Sequence, residues 1–221
     1  MSIPRTLEPE VMDSWDEAES YDRMDHAEVN RRFVDDLLAA GPVAGDVLDL
    51  GTGTALIPIE LCSRVGGCRV LAADMAVAML ELAKYRIEAA GQRQRIHLAQ
   101  CDAKRLPQPD GTFDLVISNS IVHHIPDPAI CLSEMVRVTK PGGRLFVRDL
   151  MRPESAERVD ALVALHAATA DERQKRLLTE SLHAALTLDE IRDLVAALGF
   201  DRASVEATSD RHWTWSAIKA S

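Results

Sequence analysis

The sequence predicts an α/β fold, because a short apolar run, a glycine turn and a helical stretch follow one another and are then repeated. Val47 to Leu50 are apolar enough to form a buried parallel strand, and residues 54–61 fit a following helix. Gly51 and Gly53 lie at the turn between them. Asp74 comes at the distance that one strand–helix–strand unit requires, which places it at the end of the second strand.

The glycine turn and Asp74 together predict a site for a nucleoside cofactor. Glycine allows positive φ and lets a ligand approach the backbone, while the amino terminus of the following helix offers free N–H donors. An acidic side chain at the end of the second strand is placed to accept two hydrogen bonds from a ribose diol.

Asp49 helps to decide which cofactor the site would hold. The pyridine-dinucleotide pattern G-x-G-x-x-G/A has Leu56 at its sixth position here, and the charge of Asp49 would repel a pyrophosphate. The same charge would attract the ammonium of a methionine moiety. The acid followed by G-x-G resembles the first motif of the class I S-adenosylmethionine-dependent methyltransferases, and an NAD(P)-dependent oxidoreductase remains the weaker alternative.

The resemblance continues in order from about Asp46 to Asp149. It implies a Rossmann-like, doubly wound sheet of seven mostly parallel strands with a reversed last strand. The matching stretches are Val70 to Met75, Met79 to Ala83, Cys101 to Ala103, Phe113 to Asn119 and Lys140 to Val147. By this resemblance, the residues implied to hold S-adenosylmethionine are Asp49, Gly51, Thr52, Gly53, Asp74, Met75, Asp102, Ala103 and Asn119.

Two positions depart from the family's pattern. Ala55 stands where many members carry a third glycine, which adds one methyl group near the amino-acid end of the cofactor. Ala76 stands where a serine commonly caps the next helix, and the loss of such a cap costs about 1 kcal/mol at most. Neither change removes a charged contact, so the cofactor prediction stands.

Composition limits the other functions. The formal net charge of −10 and the scattered basic residues weigh against a nucleic-acid partner. The four cysteines form no C-x-x-C pair and have no clustered histidines, so we expect free thiols and no metal site. Without a signal peptide or a long apolar segment, the sequence predicts a cytoplasmic protein with no membrane span.

We expect a single domain over residues 1–221. Residues 15–40 would form a helical cover, 46–149 the cofactor-binding core, and 152–186 a helical insert after the fifth strand. Residues 187–221 would hold a core helix, which begins at a capping box, and an antiparallel pair of strands. The cover and the insert would be either ordinary packing helices or a lid over the acceptor pocket.

The predicted chemistry is methyl transfer to oxygen, nitrogen or carbon of a small molecule, with S-adenosylhomocysteine as product. His123 and His124 directly follow the predicted fourth strand and are the candidates for a general base, unless they only shape that loop. Tyr21 and His26 in the cover are candidates for the acceptor pocket. A cofactor-binding regulatory or partner-dependent subunit without turnover is the alternative from another class.

Overall fold

Seven strands form one sheet in the computed structural model, which describes residues 3–8, 15 and 27–220. The strand order is β3-β2-β1-β4-β5-β7-β6. β1 pairs in parallel with β2 and β4, β2 pairs in parallel with β3, and β6 pairs antiparallel with β7. The strands are β1 Gly45–Leu50, β2 Cys68–Asp74, β3 Ile96–Gln100, β4 Phe113–Asn119, β5 Thr139–Leu150, β6 Val205–Ala207 and β7 His212–Ile218. This confirms the predicted fold class.

Helices connect β1 to β2, β2 to β3, β4 to β5 and β5 to β6, as the sequence predicts. Two α-helices lie between β5 and β6 before the core helix, where the insert is expected. The helices are α1 Ala27–Ala39, α2 Leu56–Arg64, α3 Val77–Ala89, α4 Pro128–Val138, α5 Ala156–His166, α6 Glu172–Ala184 and α7 Leu188–Ala197. A short 3-10 turn, Val122–His124, follows β4. The core helix α7 begins at a complete capping box formed by Thr187 and Glu190, as its sequence predicts.

The chain divides into two compact units. Of the described residues, the larger unit comprises 15, 27–119, 133–147 and 216–220, and the smaller unit comprises 3–8, 120–132 and 148–215. The core of the larger unit includes Phe33 and Phe146, whose rings meet edge to face at 5.2 Å. In the smaller unit, Leu150 packs with apolar residues of α5 and α6. The single domain expected from the sequence stays a prediction.

The beginning of β5 differs from its sequence-based prediction. The motif Lys140-Pro141-Gly142-Gly143 predicts a turn before the strand, yet β5 already begins at Thr139. The N–H of Gly142 donates to the carbonyl of Lys219 at 2.8 Å, and the N–H of Lys219 donates to the carbonyl of Gly143 at 2.8 Å. Pairing with a segment far along the chain therefore extends the strand through residues that would otherwise form a turn.

Part of the amino-terminal cover lies outside the described residues. Of the predicted segment 15–40, α1 confirms a helix from Ala27. Tyr21 and His26, the candidates for the acceptor pocket, lie outside the described residues. Within the described part of the chain, no helix is long and apolar enough to span a membrane.

Candidate functional site

The glycine loop, residues 51–54, leaves β1 in a left-handed conformation. Gly51 has φ 77° and Gly53 has φ 53°, values that glycine adopts without a steric cost. The N–H groups of Gly51 and Thr52 both donate to the carbonyl of Ala73, at 2.8 and 3.0 Å. The end of β2 thus holds the loop against the end of β1, as the predicted strand–turn–helix unit requires.

Asp74 is hydrogen-bonded to backbone groups of this loop and of the next helix. Its Oδ2 accepts the N–H of Gly53 at 2.8 Å, and its Oδ1 accepts the N–H of Ala76 at 2.9 Å. The helix that begins after Ala76 has no side-chain cap, as the sequence indicates. A carboxylate has about four acceptor positions, which is more than these two bonds use.

Asp49 is a buried acid at the end of β1. Its side chain accepts the hydroxyl proton of Thr52 at 2.6 Å, and the residue is only 2% exposed. Burial raises the pKa of Asp49 to about 7, and the charge of Asp74 adds to the effect while the bond from Thr52 opposes it. A cationic ligand group placed here would favour the ionised form and relieve this unfavourable burial.

The remaining cofactor candidates of the larger unit lie at the ends of β2, β3 and β4. Met75 follows β2 and is 44% exposed, so an apolar face is available to an adenine ring. Asp102 follows β3 and accepts the N–H of Lys104 at 2.8 Å, while Asn119 ends β4 and is partly exposed. Among the described residues, the buried hydroxyl of Thr54 has no hydrogen-bond partner. This set of acids, backbone donors and an unpaired hydroxyl fits a cationic nucleoside cofactor.

Ala55 has a structural consequence that the sequence does not reveal. Its φ of 61° lies in the left-handed region, where an alanine is about 1–2 kcal/mol less stable than in the right-handed region. Its methyl group is fully buried in the core of the larger unit, and that burial offsets part of the strain. Packing of the Ala55 methyl group therefore compensates in part for the absence of a glycine at this position.

The smaller unit contains a second group of polar residues, the acid–histidine cluster, formed by Glu8, His123, His124 and Asp149. His123 Nδ1 lies 2.5 Å from Asp149 Oδ1, and both residues are buried. Asp149 also accepts the N–H of Val122 at 2.5 Å. Asp149 therefore fixes both the backbone of the 3-10 turn and the orientation of the His123 ring.

Glu8 faces both histidines of this cluster. Its Oε1 lies 3.2 Å from His123 Nε2 and 3.1 Å from His124 Nδ1, and its side chain is 5% exposed. The hydroxyl of Ser181 donates to the other carboxylate oxygen at 3.2 Å. Burial lowers the pKa of His123, but the contacts with Asp149 and Glu8 outweigh this effect and raise it to about 9. Burial raises the pKa of Glu8, but the two histidines outweigh it and lower that pKa.

Arg5 fastens the segment that carries Glu8. Its guanidinium donates to the carbonyls of His123 at 3.2 Å, of Ile125 at 3.0 Å and of Ala184 at 2.7 Å. The N–H of Thr6 donates to the carbonyl of His183 at 3.1 Å. Residues 3–8 are therefore held against the 3-10 turn and the end of α6 within the smaller unit.

The structure places the predicted residues in two groups. The larger unit gathers the nine cofactor candidates around the glycine loop and the ends of its strands. The predicted catalytic pair instead belongs to the acid–histidine cluster, with Glu8 and Asp149, which the sequence does not single out. Each ring nitrogen of His123 faces a carboxylate. Neither nitrogen is therefore available to take a proton from a methyl acceptor.

Comparison with known proteins identifies the family of this chain. Residues 48–147 match the family model described as a methyltransferase domain. A ubiquinone/menaquinone biosynthesis C-methyltransferase of Pseudomonas fluorescens is 31% identical over 183 residues, which cover 78% of this chain and 71% of that protein. The chain belongs to the class I S-adenosylmethionine-dependent methyltransferases. The cofactor of this family is S-adenosylmethionine, which confirms the predicted cofactor.

Other relatives agree with this assignment. A demethylmenaquinone methyltransferase of Mycolicibacterium gilvum is 41% identical over 123 residues, which are 56% of this chain and 49% of that protein. The match thus spans about half the length of that curated relative. A candidate S-adenosylmethionine-dependent methyltransferase from Methanococcus maripaludis superimposes with a TM-score of 0.75 at 18% identity, covering 98% of each chain. At that identity, the structural match shows the fold alone.

Proposed function

We propose that this protein transfers the methyl group of S-adenosylmethionine to a small-molecule acceptor. The observation that carries the proposal is the pair of acids at the glycine loop. Asp74 would accept hydrogen bonds from a ribose diol, and the buried Asp49 would pair with the ammonium of the amino-acid end. The other predicted cofactor residues, from Gly51 to Asn119, would complete the site.

The reaction requires positioning more than acid–base chemistry. The bound cofactor supplies an electrophilic methyl group on a sulfonium. An acceptor atom would bond to this carbon, and the electron pair of the broken carbon–sulfur bond would stay on sulfur. Holding two reactants in line contributes several kcal/mol by itself. An acceptor that is already nucleophilic needs no base, and the carboxylates on both sides of His123 support a positioning role for that residue.

The names of the relatives suggest where to look for the acceptor. They are described as methyltransferases of demethylmenaquinone or of ubiquinone and menaquinone biosynthesis. Demethylmenaquinone is therefore the first compound to test with isotopically labelled S-adenosylmethionine, followed by a wider set of metabolites. Turnover of any acceptor would exclude the alternative of a cofactor-binding subunit without activity. The cytoplasmic location stays a prediction.

Ligand-dependent stability tests the cofactor assignment directly. S-adenosylhomocysteine at 100 times its dissociation constant should add about 2.7 kcal/mol to the free energy of unfolding, because it binds only the folded protein. NAD and NADP at the same concentration should add nothing measurable. Thermal unfolding with each ligand provides the measurement. Stabilisation by NAD without stabilisation by S-adenosylhomocysteine would contradict the proposed function.

Replacing Asp74 with alanine should lower the affinity for the cofactor by at least tenfold. The variant loses charge-assisted hydrogen bonds to the ribose, which are worth about 1.5–3 kcal/mol. It also leaves the N–H groups of Gly53 and Ala76 without their acceptor, so some stability is lost as well. Calorimetric titration of the folded Asp74→Ala variant with S-adenosylhomocysteine measures the effect. An unchanged affinity would mean that the ribose binds elsewhere.

A further inference from the structure

The acid–histidine cluster has the donor atoms and the spacing of a metal site. Glu8, His123 and His124 each offer one ligand atom, and these three atoms lie within 4.8 Å of one another. At zinc bond lengths of about 2.0–2.2 Å, tetrahedral ligand atoms lie about 3.3–3.5 Å apart. Oε1 of Glu8 lies 3.2 Å from His123 Nε2 and 3.1 Å from His124 Nδ1, close to that spacing.

The hydrogen bonds around the cluster prepare its atoms for a cation. Asp149 is bonded to His123 Nδ1, so a neutral His123 ring presents the lone pair of Nε2 to Glu8. Two lone pairs at 3.2 Å repel each other unless a proton or a metal ion lies between them. Among the described residues, Oε1 of Glu8 makes no well-aligned hydrogen bond, although both ring nitrogens are near. In the protein without metal, the proton of the His123 imidazolium fills this contact, and a metal ion would displace that proton.

Asp149 would serve as the outer partner of the metal ligand His123. A histidine that binds a metal usually donates its other N–H to a carboxylate, which fixes the ring and increases its basicity. Asp149 makes this contact at 2.5 Å and is itself held by backbone N–H groups. Ser181 holds the second oxygen of Glu8 in the same way, at 3.2 Å. Supporting bonds are thus already formed around two of the three ligands, Glu8 and His123.

We propose that Glu8 Oε1, His123 Nε2 and His124 Nδ1 bind one Zn²⁺ ion, with a water molecule as the fourth ligand. Two imidazoles and one carboxylate are a known zinc ligand set, and the ion neutralises the carboxylates of Glu8 and Asp149. The ion would fasten residues 3–8 to the 3-10 turn, in addition to the bonds of Arg5. This proposal departs from the expectation of no metal, because Glu8 and the histidine pair are far apart in the sequence.

Metal content tests the proposal without any measurement of activity. Untagged protein is supplied with Zn²⁺, dialysed, and assayed for zinc by elemental analysis, and Co²⁺ is titrated in parallel as a visible absorption probe. We expect close to one zinc per chain in the unaltered protein and less than a tenth of that in Glu8→Gln. Controls are Glu172→Gln, whose side chain is 86% exposed, and His97→Asn, on an exposed position of β3, and both should keep full zinc content.

Stability provides an independent readout of the same site. A chelator should lower the thermal midpoint of the zinc-loaded protein and leave that of Glu8→Gln unchanged, because a bound ion stabilises only the folded state. If Glu8→Gln does not fold, His124→Asn takes its place, since the His124 side chain is more exposed, at 17%. Unaltered protein that retains no zinc and shows no cobalt absorption would overturn the proposal. Full zinc retention by the folded ligand variants would overturn it as well.

Discussion

Asparagine in place of Asp49 should make the protein more stable and, at the same time, much weaker in binding S-adenosylmethionine. Asp49 is 2% exposed, and burial raises its pKa to about 7. Above that pH the buried side chain is ionised. Its desolvation then destabilises the folded state, whereas in the unfolded chain the carboxylate is hydrated. Asparagine removes the charge and still accepts the hydroxyl proton of Thr52, so the loop keeps its bond.

The pH dependence of the stability gain follows from the direction of the shift. Because the pKa is higher in the folded protein, folding takes up a proton between about pH 4 and pH 7. The ionised Asp49 therefore destabilises the protein fully above pH 7, and this effect diminishes as the pH falls. We expect Asp49→Asn to gain on the order of 2–4 kcal/mol at pH 8, and less as the pH approaches 4. Denaturant unfolding at several pH values measures both.

Cofactor affinity should change in the opposite direction. The ammonium of the ligand loses its charged partner, so the dissociation constant of S-adenosylhomocysteine should rise at least tenfold. In the unaltered protein, affinity should fall below pH 7 as Asp49 becomes protonated, and the variant should lack this dependence. Asp46→Asn is the matched control, because Asp46 lies on the same strand with a side chain that is 41% exposed. Equal affinities of Asp49→Asn and the unaltered protein would contradict the assignment of Asp49.

The strands that carry the cofactor candidates could be predicted because their signals are local. In a parallel sheet, all loops that follow strands lie at one edge, so a motif at the end of each strand also predicts which motifs meet. Asp49 and Gly51 lie on either side of Leu50, the last residue of β1, while Asp74 ends β2 and Asn119 ends β4. The capping box of α7 is equally local, because both of its partners lie within one helical turn.

The acid–histidine cluster could not be predicted from the same kind of signal. Glu8 precedes every predicted strand and Asp149 lies on the fifth, and no periodic pattern links either residue to the histidine pair. The start of β5 was missed for a related reason, since its pairing with Lys219 depends on distant residues. In each case the contact that decides the structure joins two segments that are far apart in the sequence. Nothing in either segment indicates that the two lie close together in space.

Removing His123 should cause the largest loss of stability, because the ring lies between two buried carboxylates. In His123→Ala, the fully buried Asp149 and the 5% exposed side chain of Glu8 lose their shared partner. Breaking a buried ion pair from one side costs about 3–5 kcal/mol. We expect a loss of this size in the free energy of unfolding, measured with denaturant in the presence of a chelator so that no metal contributes.

The variant His123→Asn and a double-mutant cycle with Asp149→Asn show the origin of this loss of stability. It comes either from the unpaired carboxylates or from the cavity that the His123 ring leaves behind. His123→Asn should regain part of the stability, because its amide can donate to Asp149 in place of Nδ1. In the Asp149→Asn background, the further cost of His123→Ala should be smaller, since one of the two charges is already gone. His97→Asn, at an exposed position, should change stability by no more than about 0.5 kcal/mol. A decrease of less than about 1 kcal/mol in the free energy of unfolding of His123→Ala would mean that Asp149 and Glu8 do not need the ring for stability. That result would favour the prediction that His123 is a general base.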